Sequence, residues 1–430
     1  MMRVLMVLFK DIHYDARVHR EAIALAEAGW YVDIACLHTT SQPAPEIHER
    51  VRLLRYPIQT KRIKRYVEQK ADQRVKRGVY RVVRNPMVKV AKDAVAKRDF
   101  AMKVWDLCQG ANYSAVHCHG AETLSIGAYL KQKHGLTLVY DPHHVYEDSN
   151  GKKRWERTAS QRAETVWMDE VDHMIAINEL IEAEFQHRYP NLSITVLRNI
   201  PQTLDQLPRE KNYFHRRYDL KAEDQVILYQ GGFTQNRGLE ELIRALVHLP
   251  ERHKLVLLGF GEWKERLEQL VKEKGLTDRV FFHPPLLPCK LLHVTSHADL
   301  GAVLYQSTCP KNRLVTPNKL FEYIQAGIPV ISSDRPGKAI VVGTYQAGRL
   351  VDPHNVQEIA DAIREILSDP DPWLIGTHKA RKQLRWEKEQ ERLVELYRQI
   401  ILARRNQRDE SEQEPEQEDL FSIQPHLRQL

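Results

Sequence analysis

Lys319 and Glu322 stand three residues apart in the stretch PNKLFEYIQAGIPVIS, Pro317–Ser332. Residues three apart share one face of a helix. The two groups therefore either pair in solvent, worth about 0.3 kcal/mol, or point together into a cleft. In a cleft they suit a ligand with an anionic end and a diol. Phosphate favours a helix N-terminus, and a carboxylate accepts hydrogen bonds from ribose hydroxyls. A nucleoside diphosphate has both ends. Arg237, in GGFTQNRG, is a second cation placed to meet phosphate, and Gly231 and Gly232 permit close backbone approach to a ligand. In the N-terminal half, Arg17 lies near a helix start, and His119 and His143 lie where strands end. Each has a plain alternative, a surface arginine or a structural histidine.

The elements that must carry these residues are legible from periodicity. Leu320, Phe321, Ile324 and Ala326 recur at helical spacing, predicting a helix over 318–326 opened by Pro317 and closed by Gly327, with a buried strand after it. Upstream, 3–9 reads as a strand, 15–28 as a helix stopped by Gly29, and 31–36 as a second strand. Alternation of this kind is that of a parallel α/β sheet, whose ligands bind beyond the carboxyl ends of the strands. The segments 115–118, 121–134 and 137–141 continue it, and 225–229, 239–249, 254–258, 262–274 and 280–283 restart it. Helices are expected at 154–169, 180–188, 356–367 and 383–403. The intended organisation is an N-terminal domain over 1–200, a linker over 201–218, a C-terminal domain over 219–380, a closing helix over 381–403 and a disordered tail over 404–430.

Composition sets the bounds. The chain has 430 residues, 42% hydrophobic and 28% charged, with no apolar run near the ~20 residues of a membrane span. Its five cysteines are dispersed without a CxxC pair, which argues for reduced thiols and against a zinc ribbon or a disulfide framework. The net charge of +7 is uneven, since residues 61–103 hold 15 Lys or Arg against 4 acids. Apolar residues interleave with these cations. The basic segment therefore reads as a solvated surface, as an interfacial helix pair over 61–104 drawn to anionic lipid, or, with least support, as a nucleic-acid contact.

The ordered match of PNKLFEYIQAGIPVISSDRPG resembles the donor-site motif of retaining family 4 glycosyltransferases, and DARVHREAIALAEAGWYV resembles their first helix. VHCHG and YDPHHVYED are similar to the family's two histidine positions, and the resemblance runs to about residue 403. It implies an α/β architecture of two facing Rossmann-like domains (GT-B type) with an interdomain cleft. It also implies that Glu322 holds the donor ribose, that Arg237 and Lys319 meet the diphosphate, and that His143 contacts the sugar or the acceptor. The Gly-rich turn Gly259–Gly261 would lie near the nucleotide, the turn Pro284–Leu287 near the base, and Arg17 and His119 on the acceptor side. Three positions depart from the family pattern: Gly232 replaces an Arg, Leu314 replaces a first Glu, and His144 stands where relatives often have Glu. Backbone groups of Leu314, Val315 and Thr316 can still cradle a diphosphate.

The implied activity is retaining transfer of a sugar from a nucleotide-diphosphate sugar to an acceptor hydroxyl, lipid-linked among the options, in surface polysaccharide or glycoconjugate synthesis. No cofactor, metal or nucleic acid is expected, and the implied location is cytoplasmic, peripheral to the inner face of the membrane. A sugar-nucleotide epimerase of the same fold and a non-catalytic nucleotide-sugar-binding protein remain as alternatives.

Overall fold

A computed structural model describes residues 2–40, 42–57, 86–142, 164–204, 206, 212–306 and 313–413. His143, His144 and the part of the basic segment before Pro86 lie outside the described residues.

Two parallel sheets carry the fold. The first contains β1 (Arg3–Leu8), β2 (Tyr31–His38), β3 (Val51–Pro57), β4 (Ala115–His119), β5 (Thr137–Asp141), β6 (His173–Ala176) and β7 (Ser193–Val196), in the order β3-β2-β1-β4-β5-β6-β7. The second contains β8 (Gln225–Gly232), β9 (His253–Phe260), β10 (Val280–His283), β11 (Leu300–Val303), β12 (Val330–Ser333) and β13 (Gly348–Val351), in the order β10-β9-β8-β11-β12-β13. Both sheets follow the Rossmann pattern, in which strand order reverses between the first and fourth strands. A crevice opens at that reversal, beyond the carboxyl ends of β1 and β4 in one sheet and of β8 and β11 in the other.

Burial explains why these runs become strands. Val4–Leu8 and Val32–Leu37 are buried throughout, as expected of strands covered by helices on both faces. The helix Ala16–Glu27 begins where the Asp15 carboxylate accepts from the Val18 N–H at 3.2 Å, and it buries Val18, Ala22 and Leu25 against β1 and β2. The helix Trp386–Gln413 lays Trp386, Leu393, Leu396 and Tyr397 on that same face of the first sheet. The C-terminal end of the chain is thereby packed on the N-terminal lobe.

Several expectations need correcting. The stretch expected as a linker contains a helix, Tyr213–Tyr218, seated by the fully buried Phe214. A helix Asp371–Gln383, unforeseen because two prolines stand at its start, covers the boundary placed at 380. The last helix runs on to Gln413, past the expected end at Ala403.

Candidate active site

The cleft lies at the strand reversal of the second sheet. It has a volume of about 530 Å³ and takes Gln230, Gly231 and Gly232 from the end of β8, Gly259 from β9, Tyr305 after β11, and Thr316–Lys319 and Glu322 from the helix Asn318–Gln325 and its approach. Ile177 and Asn199 of the N-terminal lobe close the other wall. The volume is that of an ordinary small-molecule pocket.

Glycine makes the floor. Gly231 and Gly259 are paired across β8 and β9 with φ of 129° and 149°, a region closed to residues with a side chain. A Cβ on Gly259 would stand 1.9 Å from the Gly231 carbonyl oxygen, and one on Gly231 would stand 2.9 Å from Lys319 Nζ. Gly261 serves the turn instead of the cleft, since a Cβ there would meet the Phe233 carbonyl at 2.2 Å.

Three cations surround one ring. The Arg237 guanidinium lies 4.1 Å from the centre of Tyr305, Lys319 Nζ lies 5.1 Å from it and 3.8 Å from Tyr229, and Lys338 Nζ lies 5.8 Å from Tyr305. Aromatic faces steady a cation without cancelling its charge. The helix Asn318–Gln325 starts with Pro317 as its cap and with no side-chain hydrogen bond at that cap. Its N-terminal amides add partial positive charge at the same place.

Glu322 sits one turn along. Burial raises its pKa, while a hydrogen bond from Gln230 Nε2 and the charges of Lys319 and Arg20 act in the opposite direction. The Gln230 side chain is fixed in turn, its Oε1 accepting from Thr295 Oγ1 at 2.8 Å. The Gln230 N–H donates at 3.0 Å to the Tyr323 hydroxyl, which donates at 3.1 Å to the Leu228 carbonyl.

The structure thus gathers Gly231, Gly232, Arg237, Gly259, Val315, Thr316, Lys319 and Glu322 around one cavity. Other expected residues are placed differently. Leu314 turns its side chain onto the core of the N-terminal lobe, while its carbonyl accepts from Asn178 Nδ2 at 2.7 Å. Asn178 Nδ2 also donates to Thr316 Oγ1 at 2.9 Å, and Thr316 donates to the Gly337 carbonyl at 2.5 Å. Arg17 and His119 are corrections to the acceptor-side expectation. Both are buried at 3% exposure and neither lines the cavity; Arg17 Nε lies 2.7 Å from Asp141 and 2.9 Å from Glu21, and His119 Nδ1 lies 4.0 Å from each of those acids.

Sequence reasoning missed Tyr229, Gln230, Asn178, Asn199, Arg20, Tyr305 and Lys338. Lys338 left one signal, a lysine in the first turn of a helix opened by Pro336. The others left none, because their roles arise from neighbours distant in sequence.

Comparison with known proteins bears on the family and the fold. Residues 210–390 match the family model "Glycosyl transferases group 1", and residues 14–199 match "Glycosyl transferase 4-like domain". The chain belongs to the group 1, family 4 glycosyltransferases. A D-inositol 3-phosphate glycosyltransferase of Mycobacteroides abscessus is 27% identical over 203 residues, which cover 46% of this chain and 42% of that relative. The chain thus spans less than half the length of that curated relative. Among solved structures, the sucrose-phosphate synthase of Thermosynechococcus elongatus superposes with a TM-score of 0.72 at 19% identity, covering 94% of this chain and 100% of the other. HepE of Anabaena, in complex with UDP-glucose, superposes with a TM-score of 0.64 at 15% identity over 93% and 100% of the two chains. At such identities the likeness is one of fold, and the family's GT-B architecture is the one described above.

Proposed function

We propose that the protein is a retaining glycosyltransferase that moves a hexosyl or N-acetylhexosaminyl group from a nucleotide-diphosphate sugar to an acceptor hydroxyl. The observation that carries this is the convergence of Arg237, Lys319 and Glu322 on one glycine-floored cleft. Glu322 accepts from the ribose hydroxyls. The diphosphate lies over Gly231 and Gly232 toward Arg237, Lys319 and the amides opening the helix Asn318–Gln325, with Lys338 behind them. As the bond between the sugar's anomeric carbon and phosphate breaks, the electron pair goes to the diphosphate, and the fixed cations stabilise the charge that develops there. The acceptor oxygen bonds to that carbon on the face the diphosphate leaves, and its proton passes to a departing phosphate oxygen. No enzymatic nucleophile and no metal take part in this reading. His143 is assigned to the sugar or acceptor by its motif alone. UDP-glucose in HepE supports a nucleotide sugar as donor.

The acceptor is proposed to be lipid-linked. Val95 and Met102, two helical turns apart on Pro86–Gln109, are 60% and 54% exposed, which puts exposed apolar side chains within the basic segment. Anionic vesicles should then bind the protein and release it with salt, and equal binding to neutral vesicles would sink the membrane assignment.

Titration calorimetry with UDP and other nucleoside diphosphates, followed by mass-spectrometric screening of nucleotide sugars against lipid-linked and soluble acceptors, tests the function. Binding of a nucleoside diphosphate and acceptor-dependent donor consumption are expected. Release of a nucleotide-free epimer without acceptor would favour an epimerase, and binding without turnover a non-catalytic module. No binding at all would overturn the reading.

A further inference from the structure

The N-terminal lobe carries a second cluster of reactive side chains, none of which lines the donor cleft. His117 and His119 lie two apart on β4 and so share one face of the sheet. Asp141 on β5 is the direct register partner of His119, and Glu21 comes down from the helix Ala16–Glu27. One nitrogen or oxygen from each of the four falls within 4.8 Å of the others, and all four residues are buried. Glu21 Oε2 lies 3.9 Å from His117 Nε2 and 4.0 Å from His119 Nδ1, and Asp141 Oδ2 lies 4.0 Å from His119 Nδ1.

We propose that Glu21, His117, His119 and Asp141 form a site for a first-row divalent cation, with zinc as the best match. Two imidazoles and two carboxylates are a donor set that zinc accepts. With metal–ligand bonds of about 2.1 Å, tetrahedral ligands stand about 3.4 Å apart. The three closest carboxylate–imidazole separations exceed this by about half an ångström, and all lie within 4.8 Å, so side-chain rotations must close the site. The surrounding contacts orient the ligands as an outer shell does. The Tyr397 hydroxyl lies 3.0 Å from His117 Nδ1, so an Nδ1–H donating to it presents the Nε2 lone pair to Glu21. The two imidazoles stack with centroids 4.1 Å apart, which aims both at the same place. Arg17 Nε donates to Asp141 Oδ2 at 2.7 Å and stands 2.9 Å from Glu21 Oε1 as an ion pair, while Glu21 Oε2 lies on the side of the histidines.

The rival occupant is a proton on one histidine. Glu21 and Asp141 already face the Arg17 guanidinium, and Arg20 also acts on Glu21, so charge balance does not call for an imidazolium. An imidazolium–carboxylate bond is about 2.8 Å long and serves one nitrogen, whereas here two imidazoles converge on one oxygen at nearly equal, longer distances. A metal uses that arrangement whole. It would clamp the first helix, β4 and β5 together and, through Tyr397, hold the closing helix Trp386–Gln413 against them.

The test is metal uptake by the full chain after chelator treatment, using Zn2+ by mass spectrometry and calorimetry and Co2+ by visible absorption. The expected result is one tight equivalent per chain, cobalt absorption of the intensity that nitrogen and oxygen ligation gives at low coordination number, and a higher melting temperature with Zn2+. Glu21→Gln and His119→Ala should lose the equivalent. Glu322→Gln in the donor cleft and His293→Ala, which breaks the His293–His297 pair of the C-terminal lobe, should keep it. Should the ligand variants fail to fold, Tyr397→Phe preserves the packing and removes only the outer contact; zinc affinity should then fall about 10-fold or more. Absence of a saturable equivalent in the wild type, or an equivalent unchanged in Glu21→Gln and Tyr397→Phe, overturns the proposal. Neither result bears on nucleotide binding at the donor cleft.

Discussion

Replacing Glu322 by alanine separates a ribose-holding carboxylate from an ordinary helix charge. Two hydroxyls donating to one carboxylate are charge-assisted hydrogen bonds of about 1.5–3 kcal/mol each. Binding must also loosen the bond that Gln230 Nε2 already donates to that carboxylate, which offsets about one of the two. The net loss in Glu322→Ala is then about 2 kcal/mol, or ~30-fold in Kd for UDP. Glu322→Gln keeps an acceptor and loses the charge, for about 1 kcal/mol and ~5-fold. Stability should move the other way. Burial raises the Glu322 pKa, so the folded state favours the neutral acid, and the stability this gives is present below the ordinary glutamate value and lost as pH rises through the raised one. At neutral pH the ionised group therefore burdens the unliganded fold, and Glu322→Gln should melt at the wild-type temperature or above it. Calorimetry with UDP and thermal unfolding on the same samples decide the matter. Unaltered UDP affinity in Glu322→Ala, together with a melting temperature lowered by several degrees, would mean that the residue braces the helix and holds no ligand.

Other perturbations probe the supports of the site. Asn178→Ala removes the cap accepted from the Ile181 N–H and two hydrogen bonds to Leu314 and Thr316, for about 3 kcal/mol in urea unfolding; Asn178→Asp keeps the cap and should instead weaken UDP binding by setting an acceptor against the Leu314 carbonyl. Gly259→Ala forces a Cβ to 1.9 Å from the Gly231 oxygen at a φ of 149°, and should cost at least about 2 kcal/mol and most nucleotide affinity; a normal melting curve would show that the two strand ends are not held so closely. His253, buried, with Arg252, Arg279 and Arg364 also disfavouring its charge, has its pKa lowered to about 4. The unfolded chain then takes up a proton below about pH 6.5 that the folded chain refuses until about 4, so stability falls by about 3 kcal/mol across that window as pH drops. His253→Gln should flatten this slope in urea midpoints measured from pH 4 to 7, and an unchanged slope would assign it to His173 and other groups.

The helix–strand alternation was legible because parallel strands buried on both faces are continuous apolar runs, and Gly29, Gly135 and Gly327 end helices as their positions suggest. That Gly231, Gly232, Arg237, Lys319 and Glu322 share one cavity was legible for a related reason. Its glycines and charges lie within short segments whose backbone geometry is locally encoded, so spacing alone placed Lys319 and Glu322 on one helix face. Arg17 and His119 misled because position at a strand end or helix start says where a residue is, not which way its charge is satisfied. Glu21, one turn after Arg17, and Asp141, beside His119, draw both inward. The helix Asp371–Gln383 was hidden by prolines that are compatible with a first turn.

The absent acid at Leu314 looks different once the lobes are in view. Val315 is buried in the core of the N-terminal lobe, with Leu314 packed against it, and Asn178 of that lobe holds the Leu314 carbonyl and the Thr316 hydroxyl. A carboxylate at 314 would have to enter that apolar contact, so a leucine there serves the junction between lobes. The segment proposed to cradle the donor is thus held by the lobe opposite. Arg20 adds to the link from the same side, its Nη2 donating to Asn199 in the cleft wall and its charge acting on Glu322. Under the proposed function, donor binding and lobe approach form one equilibrium. A variant such as Asn178→Asp, which touches no donor atom, should weaken UDP through the population of closed lobes, and should do so in proportion for every nucleoside diphosphate that binds.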